Sequence, residues 1–400
     1  MAFPQTQAVA GTTLPSKQRQ APIVGDGTNK YSDAIFFLLQ IVFFIAAANW
    51  WFNWGEKRGL FSQTLWIFFA EIGAAVYVHT LCHELGRLFA GWAADMKLRA
   101  FLVGPLSFTC RNSKWGCEFK LKGLWGAGAV DFVPTHLRDL HRRRIFMAAA
   151  GPVASLITAI LATAFALTAP GNPWAPAWYF FSMLATLAWS GSVFNALPTR
   201  LLAQYADGAQ IYQLLSKSQL ADFHMVLWMV SSSLVTPLRP RDFHPAILNR
   251  AAAFMAAGKS GMLLNLYLYM HHCDGGRLAE GLHHFEIAES MYPQIAGEFE
   301  ADLHLEFVYG NAAVKHDLAA AHLWWERMEA KGKTRDKINY WKARAAMLWI
   351  EGSIAQAREA WRNADAWARQ MPSAGAYDRH RDDIAQLGAL LDAAEMPKQL

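Results

Sequence analysis

Residues 79–87 read His-Thr-Leu-Cys-His-Glu-Leu-Gly-Arg, inside an apolar run that extends from Leu65 to Phe89. A run of that length meets the ~20 residues that a helix needs to cross the hydrocarbon core of a bilayer. Ionisable side chains at such depth are costly, and they mark function rather than packing. If the run is a helix, His79 and His83 stand four residues apart and share a face. Glu84 and Arg87 stand three apart and can pair. The stretch therefore predicts a membrane helix carrying a polar site.

The rest of the chain fits that reading. Of its 400 residues 54% are hydrophobic and only 17% charged, with a mean hydropathy of +0.10. Soluble domains carry about 25% charge. The apolar residues are clustered, which predicts spans diluted by a soluble part. Ala34–Phe52, Leu65–Phe89, Ile145–Ala169 and Ala177–Leu197 are each long enough to cross. Trp50, Trp51, Trp54, Trp174, Trp178 and Tyr179 lie near the ends of these runs, as interfacial aromatics do.

Ten lysines and arginines, from Lys97 to Arg144, lie between the second and third runs, and none lies in Pro170–Pro176. The excess of positive charge places the first of these loops in the cytoplasm and predicts cytoplasmic N- and C-termini. Lys57 and Arg58 run against this. Residues 1–32 lack an apolar signal-peptide core and read as a disordered tail. The net charge of +5 is modest and gives no nucleic-acid signal. Four cysteines without a CxxC pair predict reduced thiols rather than a disulfide framework.

Two further segments are informative. Alternating apolar and polar residues on both sides of Asn112–Gly116 predict a small cytoplasmic β-hairpin. From about residue 245 the chain becomes soluble and helical. Gly276-Arg-Leu-Ala-Glu-Gly281, His316-Asp-Leu-Ala-Ala-Ala321 and Gly352-Ser-Ile-Ala-Gln-Ala357 look alike. A small residue at the tight turn followed by Leu/Ile-Ala suits stacked helix pairs resembling tetratricopeptide repeats, which bind protein partners. A plain helical bundle is the alternative. His271 and His272 read as surface residues. Phe223–Val235 is apolar but short and reads as a segment that does not cross.

The predicted fold is thus mainly α. A polytopic membrane helical core spans residues 33–240, with the small hairpin, and an α-helical repeat domain spans 245–400.

The order of motifs points further. His83-Glu84-Leu-Gly-Arg87 leads into Gly104-Pro105. The third run contains Ala150-Gly-Pro-Val-Ala-Ser155. The fourth ends in Asn195-Ala-Leu-Pro198 and is followed by Asp207-Gly208. Over residues 60–220 this resembles the site-2 protease family of intramembrane zinc metallopeptidases. The resemblance implies His83 as a zinc ligand, Glu84 as general base and Asp207 as a further ligand. It implies that Asn195 and Pro198 help admit a substrate's transmembrane segment. Where the family carries its second zinc histidine, this chain carries Arg87.

Arginine stays protonated and offers no lone pair, so two outcomes stand. His79 replaces the missing ligand, and the chain is an intramembrane zinc metallopeptidase of a bacterial-type inner membrane. Alternatively Arg87 supplies the charge of the absent metal, and the chain is a pseudoprotease that binds or scaffolds membrane proteins. The expected partners are a transmembrane protein substrate or client, a protein partner of the helical repeats and the lipid bilayer, with no nucleic acid. A transporter is a third reading, against which no inverted repeat is visible.

Overall fold

The computed structural model describes residues 30–58, 65–111, 114–121, 128–168, 175–201, 204–294, 301–332, 334 and 336–395. The expected tail, residues 1–32, lies outside these except for its last three, which already belong to the first helix.

Helices occupy all four apolar runs: α1 (Lys30–Glu56), α2 (Leu65–Ala93), α3 (Leu140–Thr168) and α4 (Ala175–Ala196). Among the described residues, only α1 and α3 are both long and apolar enough to cross a membrane by composition. In α2 the apolar run is broken by Glu71, His79, His83, Glu84 and Arg87. In α4, Trp, Tyr, Ser and Thr dilute it. The outer faces of α1 and α3 are apolar: Val42 and Ile45, like Ile157 and Phe165, are more than half exposed. A contiguous exposed apolar face of this kind suits lipid.

α2, α3 and α4 pack closely because small residues face their contacts. A Cβ on Gly86 would overlap Ala154 and the Ala150 carbonyl of α3. Trp51 of α1 donates to Thr186 of α4 at 3.1 Å, and Gln40 donates to Ser190 at 3.1 Å. The polar pairs tie the exposed α1 to the bundle.

Between α2 and α3 the chain forms a sheet. The strands are β1 (Met96–Val103), β2 (Leu106–Arg111), β3 (Lys114–Phe119) and β4 (Gly128–Pro134), antiparallel in the order β3-β2-β1-β4. The expected hairpin is there, with Arg111 opposite Lys114, but it is half of a four-stranded sheet. β1 opens the sheet through Gly104, whose φ of +55° suits glycine and whose missing Cβ leaves room for Tyr77. β4 follows residues 122–127, which lie outside the described set. Cys110 pairs with Trp115 and Cys117 with Phe108, so the two cysteines are not opposite each other, and all four cysteines are free thiols.

After α4 come the short strands β5 (Arg200–Leu201) and β6 (Gln204–Tyr205), then α5 (Asp207–Leu215) and α6 (Gln219–Ser233). Ser218 caps α6 by accepting from the Ala221 N–H. At 15 residues α6 is too short to span. It lies on the sheet instead: Met225, Val226 and Met229 share a core with Val130, Phe132 and Val133, and the Trp228 indole donates to the Phe132 carbonyl.

The C-terminal part is a run of helices: α7 (Pro245–Phe254), α8 (Gly258–Asp274), α9 (Leu278–Met291), α10 (Ala301–Tyr309), α11 (Leu318–Lys331), α12 (Lys337–Ile350), α13 (Ile354–Gln370) and α14 (Gly375–Glu395). The three similar stretches sit at α8–α9, α10–α11 and α12–α13. At each turn the first residue of the stretch is left-handed: Gly276 at φ +75°, His316 at +56° and Gly352 at +81°. Five residues on, Gly281, Ala321 and Ala357 are buried. The spacing read from the sequence is thus a helix-turn-helix device, with a left-handed turn and a small residue at the closest contact. His271, expected at the surface, is buried; its Nδ1 meets the Pro240 carbonyl and its Nε2 meets Arg277.

The helical part encloses a charged cluster. Lys342, fully buried, donates to Asp383 at 2.9 Å and to His380 Nδ1 at 3.1 Å, and its ammonium lies 4.1 Å from the centre of the Tyr309 ring. Arg379 approaches Glu306 at 3.5 Å and Asp383 at 3.8 Å. Burial, and then the Lys342 charge, push His380 down to about 3. Burial alone would raise Glu306 and Asp383, but Lys342 and Arg379 outweigh it and hold both below the usual carboxylate range.

The native domain therefore refuses a proton that an unfolded histidine accepts below pH 6.5. Stability should be full above pH 6.5 and fall as pH drops toward 3, with a slope approaching about 1.4 kcal/mol per pH unit for one proton. Loss of the Glu306 and Asp383 contributions follows at the acid end. Urea unfolding of the full-length protein in micelles at pH 7.5, 6 and 5 measures this. His380→Gln should flatten the dependence between pH 6.5 and 5; an unchanged slope would reject the assignment.

Candidate functional site

The polar residues of α2 meet α3, α4 and α5 at one point. Asp207 is the first residue of α5, and Gly208 lets the helix start against the end of α4. A Cβ on Gly208 would overlap the carbonyls of Ala196 and Leu197. This close approach sets Asp207 beside Asn195: the Asp207 N–H donates to Asn195 Oδ1 at 3.1 Å, and Asn195 Nδ2 donates back to Asp207 Oδ2 at 2.8 Å. Asn195 and Asp207-Gly208, twelve residues apart, thus form one reciprocal unit. Pro198 ends α4 nearby but is exposed and borders neither cavity described below.

His83 completes the group. Its Nε2 lies 3.2 Å from Asp207 Oδ2 and its Nδ1 lies 2.9 Å from Ser155 Oγ. A carboxylate only accepts, so Nε2 donates to Asp207, while Nδ1 and the Ser155 hydroxyl share the other hydrogen bond. Gly151 makes room: a Cβ there would overlap the His83 ring and crowd Asp207. The Ala150–Ser155 stretch of α3 therefore contributes three fitted contacts, namely Gly151 under His83, Ala154 against Gly86 and Ser155 on the imidazole. Reading the sequence singled out the stretch but not Ser155's role. It also missed Gly128 of β4, which lies against Thr80 and Glu84; a lone glycine beyond the helices gives no signal in sequence.

Arg87 sits between the two acids. Its Nη1 donates to Glu84 Oε2 at 3.5 Å, and its Nη2 lies 3.9 Å from Asp207 Oδ1. Glu84 and Asp207 are 4% and 3% exposed, so the guanidinium supplies charge where water cannot.

His79 is brought near His83 but not to the acids. The two rings are 6.3 Å apart, and His79 Nε2 meets the same Ser155 hydroxyl at 3.3 Å. Ser155 thus stands between the two imidazoles. His79 lines a second cavity of about 370 Å³ with Phe36 and Gln40 of α1 and Phe194 of α4. A larger cavity of about 770 Å³ lies on the other side, bordered by Arg87, Arg144, Asp207, Gln213 and Trp228; His83, Glu84 and Asn195 border both.

The donor set can be weighed against zinc. His83 Nε2 and Asp207 Oδ2 have the separation of two ligands on one tetrahedral ion, since bonds of about 2.0–2.1 Å place ligand atoms roughly 3.3 Å apart. A catalytic zinc takes three protein ligands and an open position. Among the described residues no group of three His, Cys, Asp or Glu side chains could hold a metal. Beside them stand the Asn195 amide and a guanidinium, which repels a dication. The residues present do not fit a catalytic zinc ion.

A family model described as Peptidase family M50, the site-2 protease family, matches residues 72–175. The match covers His79, His83, Glu84, Arg87 and the Gly151–Ser155 contacts, and supports a membrane-embedded, metallopeptidase-like domain there. Asn195 and Asp207 lie beyond it. No curated protein and no solved structure matches the chain.

Arg87→Gln removes the counter-charge of two buried carboxylates and should destabilise the protein by about 3–5 kcal/mol. Glu84→Gln in the same chain should restore part of that loss, because the two positions are coupled. Thermal unfolding of the four proteins of this cycle in micelles gives the coupling. Additive losses would mean that Arg87 and Glu84 do not form a pair.

Proposed function

We propose that residues 33–240 are a non-catalytic relative of intramembrane metallopeptidases, which receives a transmembrane segment of a client protein. Residues 245–400 then act as the helical platform that holds a second protein. The observation that carries this reading is Arg87 lying between Glu84 and Asp207. In that position it pairs the acid expected to act as general base and the carboxylate expected to bind metal. The polar centre stays intact as a set of hydrogen bonds but presents neither a third ligand nor an unpaired base. The smaller cavity, bordered by Phe36 and Gln40 of α1, His79, His83 and Glu84 of α2 and Asn195 of α4, gives an extended segment room beside the centre.

On this reading the chain is an integral protein of a bacterial-type inner membrane, with α1 to α4 in the bilayer and both termini in the cytoplasm. The charge asymmetry of its loops supports that orientation. It has no nucleic-acid partner.

Zinc peptidase activity is the second reading, favoured by the His83–Asp207 separation. Metal content distinguishes the two. Wild-type protein purified with zinc present should carry substoichiometric metal. Arg87→His places an imidazole one turn after His83 and on the same face, and should raise zinc toward one per chain. Wild-type zinc at one per chain, lost in His79→Ala, would establish the relocated site instead. In cells, wild type and Glu84→Gln should give the same membrane-protein fragments; fragments that vanish with Glu84→Gln would overturn the proposal.

A further inference from the structure

We propose that the larger cavity is a binding site for an organic anion, a carboxylate or phosphate head on an apolar body, with Arg144 as its principal anchor. Arg144 lies in the first turns of α3. Its guanidinium lies 4.7 Å from the centre of the Trp228 ring, and its Nη2 donates to Gln210 Oε1 at 3.1 Å. Among the described residues no carboxylate lies within ion-pair distance of it. Asp207 and Asp131 attract it only at longer range, and Arg87 repels it. A guanidinium carries five N–H donors in a planar fork suited to carboxylate and phosphate oxygens.

Two further donors on the same wall lack partners. Gln213 is 2% exposed, and its Nε2 is buried without a hydrogen bond. Arg87 Nε is likewise buried and unpaired. Native proteins seldom leave such groups orphaned, so each one calls for an explanation. Here both orphaned groups are donors, one of them cationic; Arg144 beside them has no ion-pair partner among the described residues, and Arg87 already engages both acids of the cavity. The missing partner is therefore rich in acceptors and negatively charged.

Met225, Leu227 and Trp228 of α6 supply the apolar part of the lining. At about 770 Å³ the space falls within the roughly 300–1,000 Å³ of small-molecule sites. The head group can come from a soluble compound or from an anionic lipid, and the chemistry of recognition is the same. The inference does not depend on whether the core cleaves peptides, because its anchor, Arg144, belongs to neither the candidate base nor the candidate ligands.

The test uses full-length protein in phosphatidylcholine nanodiscs and a matched pair of probes, phenyl phosphate and phenol. Calorimetric titration should show binding of phenyl phosphate and none of phenol. Arg144→Gln should weaken binding at least about tenfold, the loss expected for a charge-assisted, bidentate contact. Arg144→Lys should recover part of it. Gln213→Leu keeps the side chain's bulk, removes the orphan donor and should weaken binding severalfold. If Arg144→Gln elutes as aggregate on size exclusion, Gln213→Leu decides. Equal binding of the two probes, or undiminished affinity in the well-folded variants, overturns the proposal. Repeating the titration in nanodiscs containing phosphatidylglycerol separates the sources: weakened phenyl phosphate binding identifies a lipid headgroup as occupant, and unchanged binding identifies a soluble anion.

Discussion

Two carboxylates held between apolar helices need a cation, and much of this core follows from how that need is met. Removing an ionised carboxylate from water costs several kcal/mol even after relaxation. Glu84 and Asp207 are both nearly inaccessible. In a zinc hydrolase a dication would offset that cost; here a guanidinium on the same helix as Glu84 does so. Arginine delivers its charge from a long stem, so it reaches both acids without any change in the path of α2. An arginine at this position is therefore compatible with the bundle that α3, α4 and α5 build around it.

Those motifs act together because the centre is a connected network. His83 is held from both ring nitrogens, by Ser155 and by Asp207, and Asn195 bonds Asp207 twice. A buried polar network is stabilising when its members are satisfied, and costly when one is removed. Its geometry depends on the glycines that admit it. Gly86 sets the distance between α2 and α3, Gly151 leaves room for the imidazole, and Gly208 brings α5 onto the end of α4. Small residues that look like packing in sequence are what bring donors on four helices within bonding distance.

The helices, the hairpin and the residues of the polar centre were legible because each carries a local signal: apolar length, alternation, or ordered motifs. The rest of the sheet was not. β4 is separated from β1 by more than twenty residues, and its place depends on pairing with β1 and packing under α6. Nor was Arg144 legible as a wall of a cavity, since three successive arginines at a helix end read first as a topology signal. The membrane assignment of α2 and α4 shows the opposite effect. In α2 the residues that make the site lower the apolarity by which a span is recognised, and in α4 Trp, Tyr, Ser and Thr do so, so α1 and α3 pass on composition where those two helices do not. Ser155 was visible as a letter in a motif, but its place between two imidazoles depends on the approach of α2 to α3.

The helical region is built onto this core largely through α6 and the segment that follows it. α6 turns Met225 and Trp228 toward the larger cavity, and Met225, Val226 and Met229 share one apolar core with Leu264 and Leu268 of α8. The chain leaving α6 is clamped a second time. The Gly375 N–H, at the start of α14, donates to the Thr236 carbonyl at 2.8 Å, and Arg239 pairs with Asp274 at the end of α8 and with Asp382 of α14. Gly375 is required there, since a Cβ would overlap the Leu238 carbonyl. α8 and α14 of the C-terminal part are thus both anchored to the segment that follows a cavity-lining helix. The same helix therefore packs on α8 through one face and carries Trp228, with the guanidinium of Arg144 over it, on the cavity side.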